Sequence, residues 1–135
     1  MKSLFVFLFL ITAISASAEE LCIKNKVCYD VEVAKTLEQK QKGLMFVKNL
    51  PQNKGMLFDV REIEHVSMWM KNTYIPLDML FLDCDFVVVD VYKMAKPLSL
   101  DYIESDKKFC FVLEVNGGEF DKLNLSIGNQ FVFEE

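Results

Sequence analysis

Apolar and polar residues alternate along much of the chain, which is the pattern of strands with one buried face. The clearest example is Val27–Ala34, in which every second residue from Val27 to Val33 is valine or tyrosine. Other short segments, rich in branched and aromatic residues, predict further strands. They span residues 56–58, 66–70, 79–82, 87–92, 109–115 and 130–133.

One segment has the pattern of a helix instead. Thr36 and Gln39 are spaced as a capping-box pair, in which each side chain accepts a hydrogen bond from the other residue's backbone. Residues 120–125 predict one further helical turn, and the polar residues 95–108 predict a long surface loop. The whole pattern predicts an α+β, mainly β fold: a small barrel-like or strongly curved, antiparallel-rich sheet with one short helix.

The first 18 residues have the organisation of a secretory signal peptide. Lys2 precedes an apolar run over residues 4–14, and small residues up to Ala18 provide a cleavage site. The run is shorter than the roughly 20 apolar residues that span a bilayer, although an uncleaved anchor is the alternative. We therefore expect a signal peptide over residues 1–18 and a single domain over residues 19–135, with no membrane span after cleavage.

The charge of the chain narrows the classes of partner. The formal net charge is −5, and cleavage after Ala18 would remove one lysine and make the remainder more negative. Because an acidic domain repels phosphate backbones, we expect no binding to nucleic acid. An exported chain of this kind is expected in the periplasm or in the extracellular medium.

All four cysteines lie in the exported part, at positions 22, 28, 84 and 110. In an oxidising compartment an even number of cysteines indicates up to two disulfides. Cys22 and Cys28 flank a short polar turn, so a hairpin would place them opposite each other. Cys84 and Cys110 lie beside apolar strand residues, and buried free thiols are the alternative for them.

Four polar residues are candidates for a binding site. Lys71 and Asn72 lie where a predicted strand ends in a turn, and Asp78 and Glu114 lie inside apolar segments. A buried acid must be paired, hydrogen-bonded or protonated. The four are expected either to bind a ligand at the rim of the sheet, with the acids also capable of acid/base chemistry, or to serve as buried structural ties.

A metal site has weaker support. His65 is the only histidine, which disfavours a structural zinc site and a serine triad. Met68 and Met70 would share one face of a strand, and together with His65 they would offer soft ligands to Cu(I). A strand that buries one face gives the same pattern, so no metal or cofactor is predicted and copper is kept as an alternative.

Several short motifs resemble the bacterial and archaeal family called domain of unknown function 192, DUF192. In order along the chain they are Val-Ala-Lys-Thr at 33–36, Gly-Leu-Met at 43–45, Gly-Met-Leu-Phe at 55–58, Trp-Met-Lys-Asn-Thr at 69–73, Pro-Leu-Asp at 76–78, and Leu-Glu-Val at 113–115 with Gly118. The resemblance implies a compact, mainly β fold, often exported or lipid-anchored, and it implies no particular reaction.

Two positions depart from the family pattern. The resemblance implies an arginine where this chain has Val47, so that Lys48 is the residue available to replace it, and an aromatic residue where this chain has Met68. Taken together, the sequence predicts a non-enzymatic envelope protein that binds a small ligand or a protein partner. The alternatives are a hydrolase-like enzyme that uses Asp78 or Glu114 as acid or base, and a Cu(I)-binding protein.

Overall fold

The computed structural model describes residues 19–134, so the predicted signal peptide lies outside the described residues. Within this range the chain forms one sheet of seven strands and two short helices. The elements are β1 Glu19–Ile23, β2 Val27–Ala34, α1 Leu37–Lys42, β3 Lys54–Asp59, β4 Leu77–Leu82, β5 Val88–Ala95, β6 Phe111–Asn116, α2 Glu119–Lys122 and β7 Val132–Glu134. None of the helices in residues 19–134 is long and apolar enough to cross a bilayer.

The sheet has the strand order β5-β4-β6-β3-β2-β1-β7. Every neighbouring pair is antiparallel except β2 and β3, which are parallel. The sheet is strongly curved, and residues just before β7 meet the start of β5, where the Val88 N–H donates to the Asn129 carbonyl at 2.8 Å. A single isolated bridge between Val87 and Gln130 joins these edges, so the sheet stays open. The prediction of a strongly curved, mainly β fold is confirmed.

The β1–β2 hairpin forms as the cysteine spacing predicts. Cys22 lies directly opposite Cys28 in the antiparallel ladder, and a disulfide joins them. Asn25 in the turn has φ of 61°, a left-handed conformation that asparagine tolerates better than most residues. A second disulfide joins Cys84 to Cys110, so the alternative of buried free thiols is wrong.

Helix α1 begins with the predicted capping box. The Thr36 hydroxyl accepts the Gln39 N–H at 3.1 Å, and the Gln39 side-chain oxygen accepts the Thr36 N–H at 3.0 Å. The α1 helix ends at Gly43, whose φ of 48° is more accessible to glycine than to other residues. Helix α2 corresponds to the further helical turn predicted over residues 120–125, and it begins one residue earlier, at Glu119.

Each face of the sheet carries its own hydrophobic cluster. We call the face that carries Tyr29, Leu80 and Leu113 the first face, and its cluster includes Phe120 of α2. The second face is covered by Met70 and by the chain around Leu44. Its other members include Met56, Phe58, Met79, Phe81 and Val112. Because successive strand residues point to opposite faces, the polar residues of β4 and β6 are distributed between these two clusters.

No strand forms over residues 66–70, so this prediction is wrong. Met68 makes only an isolated bridge with Ile103, in which each N–H donates to the other's carbonyl at 2.9 and 2.8 Å. Ile103 is buried at the centre of the polar segment 95–108, so this loop supplies an apolar anchor to the second face. A strand-like composition was present at residues 66–70, but the loop offers no continuous partner edge.

Candidate functional site

A groove of about 650 Å³ lies over the second face, between α1 and the segment that leads to Lys71. The buried lining residues form the floor of the groove, and the exposed and half-buried lining residues form its mouth. The floor is apolar except for the Thr73 hydroxyl and one carboxyl group. Its members are Leu44, Phe58, Val60, Thr73 and Glu114. We call this feature the Glu114 groove.

Glu114 lies near the middle of β6, with its neighbours across the sheet both methionines, Met56 of β3 and Met79 of β4. Only 4% of the residue is exposed, and its carboxyl group has no hydrogen-bond partner among residues 19–134. Burial raises the pKa of this carboxyl to about 8, so most of it is protonated at neutral pH. A protonated carboxyl can both donate and accept a hydrogen bond, and here it contacts the groove.

Basic and aromatic side chains surround the mouth. Lys42 and Lys71 are exposed there, and Lys40 is half-buried. The rings of Trp69 and Tyr102 stack with centroids 6.4 Å apart, and the Lys71 ammonium lies 5.1 Å from the Trp69 centroid, within the range of a cation–π interaction. The mouth therefore presents cations beside a flat apolar platform.

Asp78 does not belong to this groove. It lies on β4 and points to the first face, where it is fully buried. Its Oδ1 accepts the backbone N–H groups of Met94 and Gly118, and its Oδ2 accepts that of Phe120, all at 2.9 to 3.0 Å. The carboxylate therefore ties β4 to β5 and to the start of α2, which is the structural interpretation that the sequence left open.

Asn72 also has a backbone role in the structure. Its φ of 53° places it in the left-handed region, and its carbonyl accepts the Phe46 N–H at 2.9 Å. The turn at Asn72 thus fixes the chain that covers one side of the second face. Of the four predicted site residues, Lys71 and Glu114 line the groove, whereas Asp78 and Asn72 do not.

His65 lies at the mouth, in contact with Ser67 and Glu104. Its Nε2 is 3.4 Å from the Ser67 hydroxyl and 3.0 Å from a Glu104 carboxylate oxygen, and the Ser67 hydroxyl also donates to that oxygen. In a serine triad the histidine is the base, with the serine hydroxyl on one of its ring nitrogens and the orienting acid on the other. Because both contacts use Nε2, this trio does not form a proton relay.

The three residues of the copper alternative differ in their relation to the groove. Met70 is fully buried in the second-face cluster and does not line the groove, whereas His65 and Met68 do. Among residues 19–134 one acid and thiol cluster has the spacing of metal ligands, Glu20 with Cys22 and Cys28. Its two sulfurs are joined in a disulfide, so they provide no thiolate.

The sequence analysis missed a buried polar pair on the first face. The Tyr29 hydroxyl donates to Glu119 Oε2 at 2.5 Å, and Glu119 Oε1 has no hydrogen-bond partner among the described residues. Burial raises the pKa of Glu119, and burial together with this hydrogen bond raises that of Tyr29. The sequence signal that could have indicated this pair is the position of Glu119, an acid between Gly118 and the apolar Phe120.

The two departures from the family pattern have simple outcomes. Val47 is half-buried and packs against the second-face cluster, where its apolar side chain is well accommodated. Lys48 is exposed and does not line the groove, so the structure gives no support to the idea that it replaces an arginine there. Met68 lines the groove in place of an aromatic side chain.

Comparison with known proteins gives a family and two structural relatives. The family model DUF192, described as uncharacterized ACR, matches residues 20–133. A protein of unknown function from Novosphingobium aromaticivorans has 29% identity and a TM-score of 0.78 over 84% of this chain and 82% of its own. A candidate transcription regulator from Sinorhizobium meliloti has 37% identity and a TM-score of 0.76, and the match covers 85% of this chain and 91% of its own. Comparison with curated proteins finds no match.

Proposed function

The chain belongs to the DUF192 family, and from that premise we propose that this member is a small-molecule-binding protein of the cell envelope. The Glu114 groove is its binding site. One observation carries the proposal: a carboxyl group that is only 4% exposed faces the groove without a hydrogen-bond partner among residues 19–134. A ligand that hydrogen-bonds to Glu114 would supply the partner that the described residues do not.

The size and lining of the groove support the same function. Small-molecule sites occupy roughly 300 to 1,000 Å³ and combine an apolar surface with a few polar groups. The Glu114 groove has about 650 Å³, an apolar floor with two polar groups, and a wall formed by Trp69 and Tyr102. These features match a ligand with an apolar body and an oxygen or nitrogen atom that reaches Glu114.

The two disulfides indicate an oxidising location outside the cytoplasm. We extend this to export into the periplasm or the medium, directed by residues 1–18. A binding protein there would meet small molecules that pass through the envelope. The acidic charge of the chain, −5, disfavours a nucleic-acid target.

A proton-transfer enzyme is the second candidate, because the pKa of Glu114 is raised to about 8, close to the pH at which an acid/base group works best. Replacement of Glu114 by glutamine separates the two candidates. Glutamine keeps a neutral donor and acceptor but cannot transfer a proton. Binding that survives in Glu114→Gln supports a hydrogen-bonding role, whereas a reaction that is lost while binding is retained supports the enzyme.

The neutral dye N-phenyl-1-naphthylamine tests the binding site directly. Trp69 is the only tryptophan and lines the groove, so energy transfer from Trp69 to the dye reports occupancy. We expect saturable binding of one dye per chain to the domain over residues 19–135. Tyr102→Ala should weaken binding, whereas Tyr92→Ala should not, since Tyr92 is also an exposed tyrosine but lies on β5 outside the groove. Absence of binding, or equal loss in both variants, would refute the site.

A further inference from the structure

We propose that the ligand of the Glu114 groove is an amphipathic anion, with its apolar body over the floor and its negative group held between the lysines of the mouth. This inference rests on the proposed function and specifies the chemistry of the ligand. It follows from the distribution of charge around the groove, from the cation already in place over Trp69 and from the position of Glu114.

The mouth has a positive excess in an acidic protein. Lys40, Lys42 and Lys71 line the groove, whereas the acids at its exposed edge are Glu38, which also lines it, and Glu104, which lies against His65. The three lysines outnumber these two acids, although the chain as a whole carries −5. None of the three lysines forms an ion pair within residues 19–134. Three unpaired cations around one opening raise the local concentration of anions there.

The local fold places these lysines at the mouth. The capping box fixes the start of α1, so the last turn of this six-residue helix carries Lys40 and Lys42 toward the groove. The turn at Asn72 holds Lys71 beside Trp69 on the other side. An anion between the two sides can therefore contact lysines from two separate elements.

An organic cation is a poorer match for this opening. The Lys71 ammonium already lies 5.1 Å from the Trp69 ring centroid, which is the position that a cationic ligand would take. The other two lysines would repel a second cation.

The floor is compatible with an anionic ligand as well. With its proton retained at neutral pH, Glu114 does not repel a negative charge and can donate a hydrogen bond to a ligand oxygen. The other titratable groups that face the groove are Glu38, Lys40, Lys42, His65, Lys71 and Tyr102. Most of the permanent charge near the ligand is therefore positive and lies at the mouth.

Two dyes of almost the same shape provide the experiment. 1-Anilinonaphthalene-8-sulfonate is the anionic counterpart of N-phenyl-1-naphthylamine, since it differs by one sulfonate group. We expect the sulfonate dye to bind about tenfold more tightly to the domain over residues 19–135 at low salt. Raising NaCl from about 20 mM to about 500 mM should remove most of this difference, because salt screens exposed charges.

Charge-reversal variants locate the effect. Lys42→Glu and Lys71→Glu should each lower the ratio of the affinity for the sulfonate dye to that for the neutral dye about fivefold. Lys24→Glu makes the same charge change in the β1–β2 turn, away from the groove, and should leave both dyes unchanged. If a reversal variant has a lowered melting temperature, the milder Lys42→Gln and Lys71→Gln variants take its place, with about a twofold loss expected.

The outcomes separate this inference from the proposed function. Equal affinity for both dyes, tighter binding of the cationic dye auramine O, or an equal effect of Lys24→Glu would overturn the anionic ligand while leaving the groove as a binding site. Failure of both naphthalene dyes to bind would overturn the binding site itself. Tighter, salt-dependent binding of the sulfonate dye that only the groove lysines control would support both.

Discussion

Glu114 and Asp78 lie on neighbouring strands one register position apart, and their side chains point to opposite faces of the sheet. Asp78 is opposite Val115, and Glu114 is opposite Met79. On the first face the Asp78 carboxylate accepts hydrogen bonds from three backbone N–H groups. On the second face the Glu114 carboxyl group accepts none from the described residues. The first acid is thus committed to the fold, and the second is available to a ligand.

Removal of the Asp78 carboxylate should destabilise the domain strongly. Asp78→Ala would leave the N–H groups of Met94, Gly118 and Phe120 without their acceptor, and we expect a loss of about 4 kcal/mol in the free energy of unfolding. Denaturation in urea measures this. Asp106→Ala is the control, since its side chain is 89% exposed, and it should change the free energy by less than about 0.5 kcal/mol. A loss below about 1 kcal/mol for Asp78→Ala would contradict the structural role.

Glu114 should make the domain less stable as the pH rises. Its pKa is raised from 4.5 to about 8 in the folded state, so the folded chain keeps a proton that the unfolded chain has released. The contribution of Glu114 to the free energy of unfolding is fully present below about pH 4.5 and is lost progressively as the pH rises to about 8. Relative to Glu114→Gln, the free energy of unfolding of the wild type should fall by on the order of 3 kcal/mol between about pH 5 and about pH 8.

The comparison between wild type and Glu114→Gln cancels other titrating groups, including Glu119, whose pKa burial also raises. Urea denaturation of both proteins across this pH range gives the difference directly. Glu38→Gln is the matched control, because it removes an exposed acid at the edge of the same groove. Its free energy of unfolding should change with pH as steeply as that of the wild type. Parallel pH profiles for wild type and Glu114→Gln would show that burial does not perturb the carboxyl.

The local elements were predictable because short-range chemistry determines them. The capping box at Thr36 and the hairpin between Cys22 and Cys28 require only residues within a few positions of each other, and both are confirmed. The burial of Asp78 and Glu114 followed from the apolar residues beside them in the sequence.

The groove itself was not predictable, because residues distant in sequence form it. The parallel pairing of β2 with β3 and the bridge between Met68 and Ile103 bring α1 and two loops over one face. No local pattern encodes which face Asp78 or Glu114 occupies relative to these loops. The sequence therefore grouped both acids in one site, although the alternation of β4 and β6 separates them.

The two disulfides should contribute unequally to stability. Cys84 and Cys110 are 26 residues apart, whereas Cys22 and Cys28 are 6 apart, and a longer loop restricts the unfolded chain more. We expect the Cys84→Ala/Cys110→Ala variant to lose about 1 kcal/mol more than Cys22→Ala/Cys28→Ala. Guanidinium denaturation compares the two double variants. An equal or larger loss for the hairpin pair would contradict a loop-length effect.

Export can be tested on the protein made in its own cell. We expect the mature chain to begin at Glu19, and the purified product to contain two disulfides and no free thiol. Intact-mass measurement before and after reduction, with a thiol-reactive label, detects both properties. A product that retains residues 1–18, or that has four reactive cysteines, would place the working protein elsewhere.

Contact between a ligand and Glu114 is the central claim, and carboxyl-carbon NMR tests it most directly. The domain over residues 19–135, labelled with ¹³C, is titrated with 1-anilinonaphthalene-8-sulfonate while the side-chain carboxyl resonances of Glu114 and Asp78 are followed. We predict a saturable shift of the Glu114 resonance and a constant Asp78 resonance, because the two acids face opposite sides of the sheet. A dye that binds while the Glu114 resonance stays constant would contradict the account.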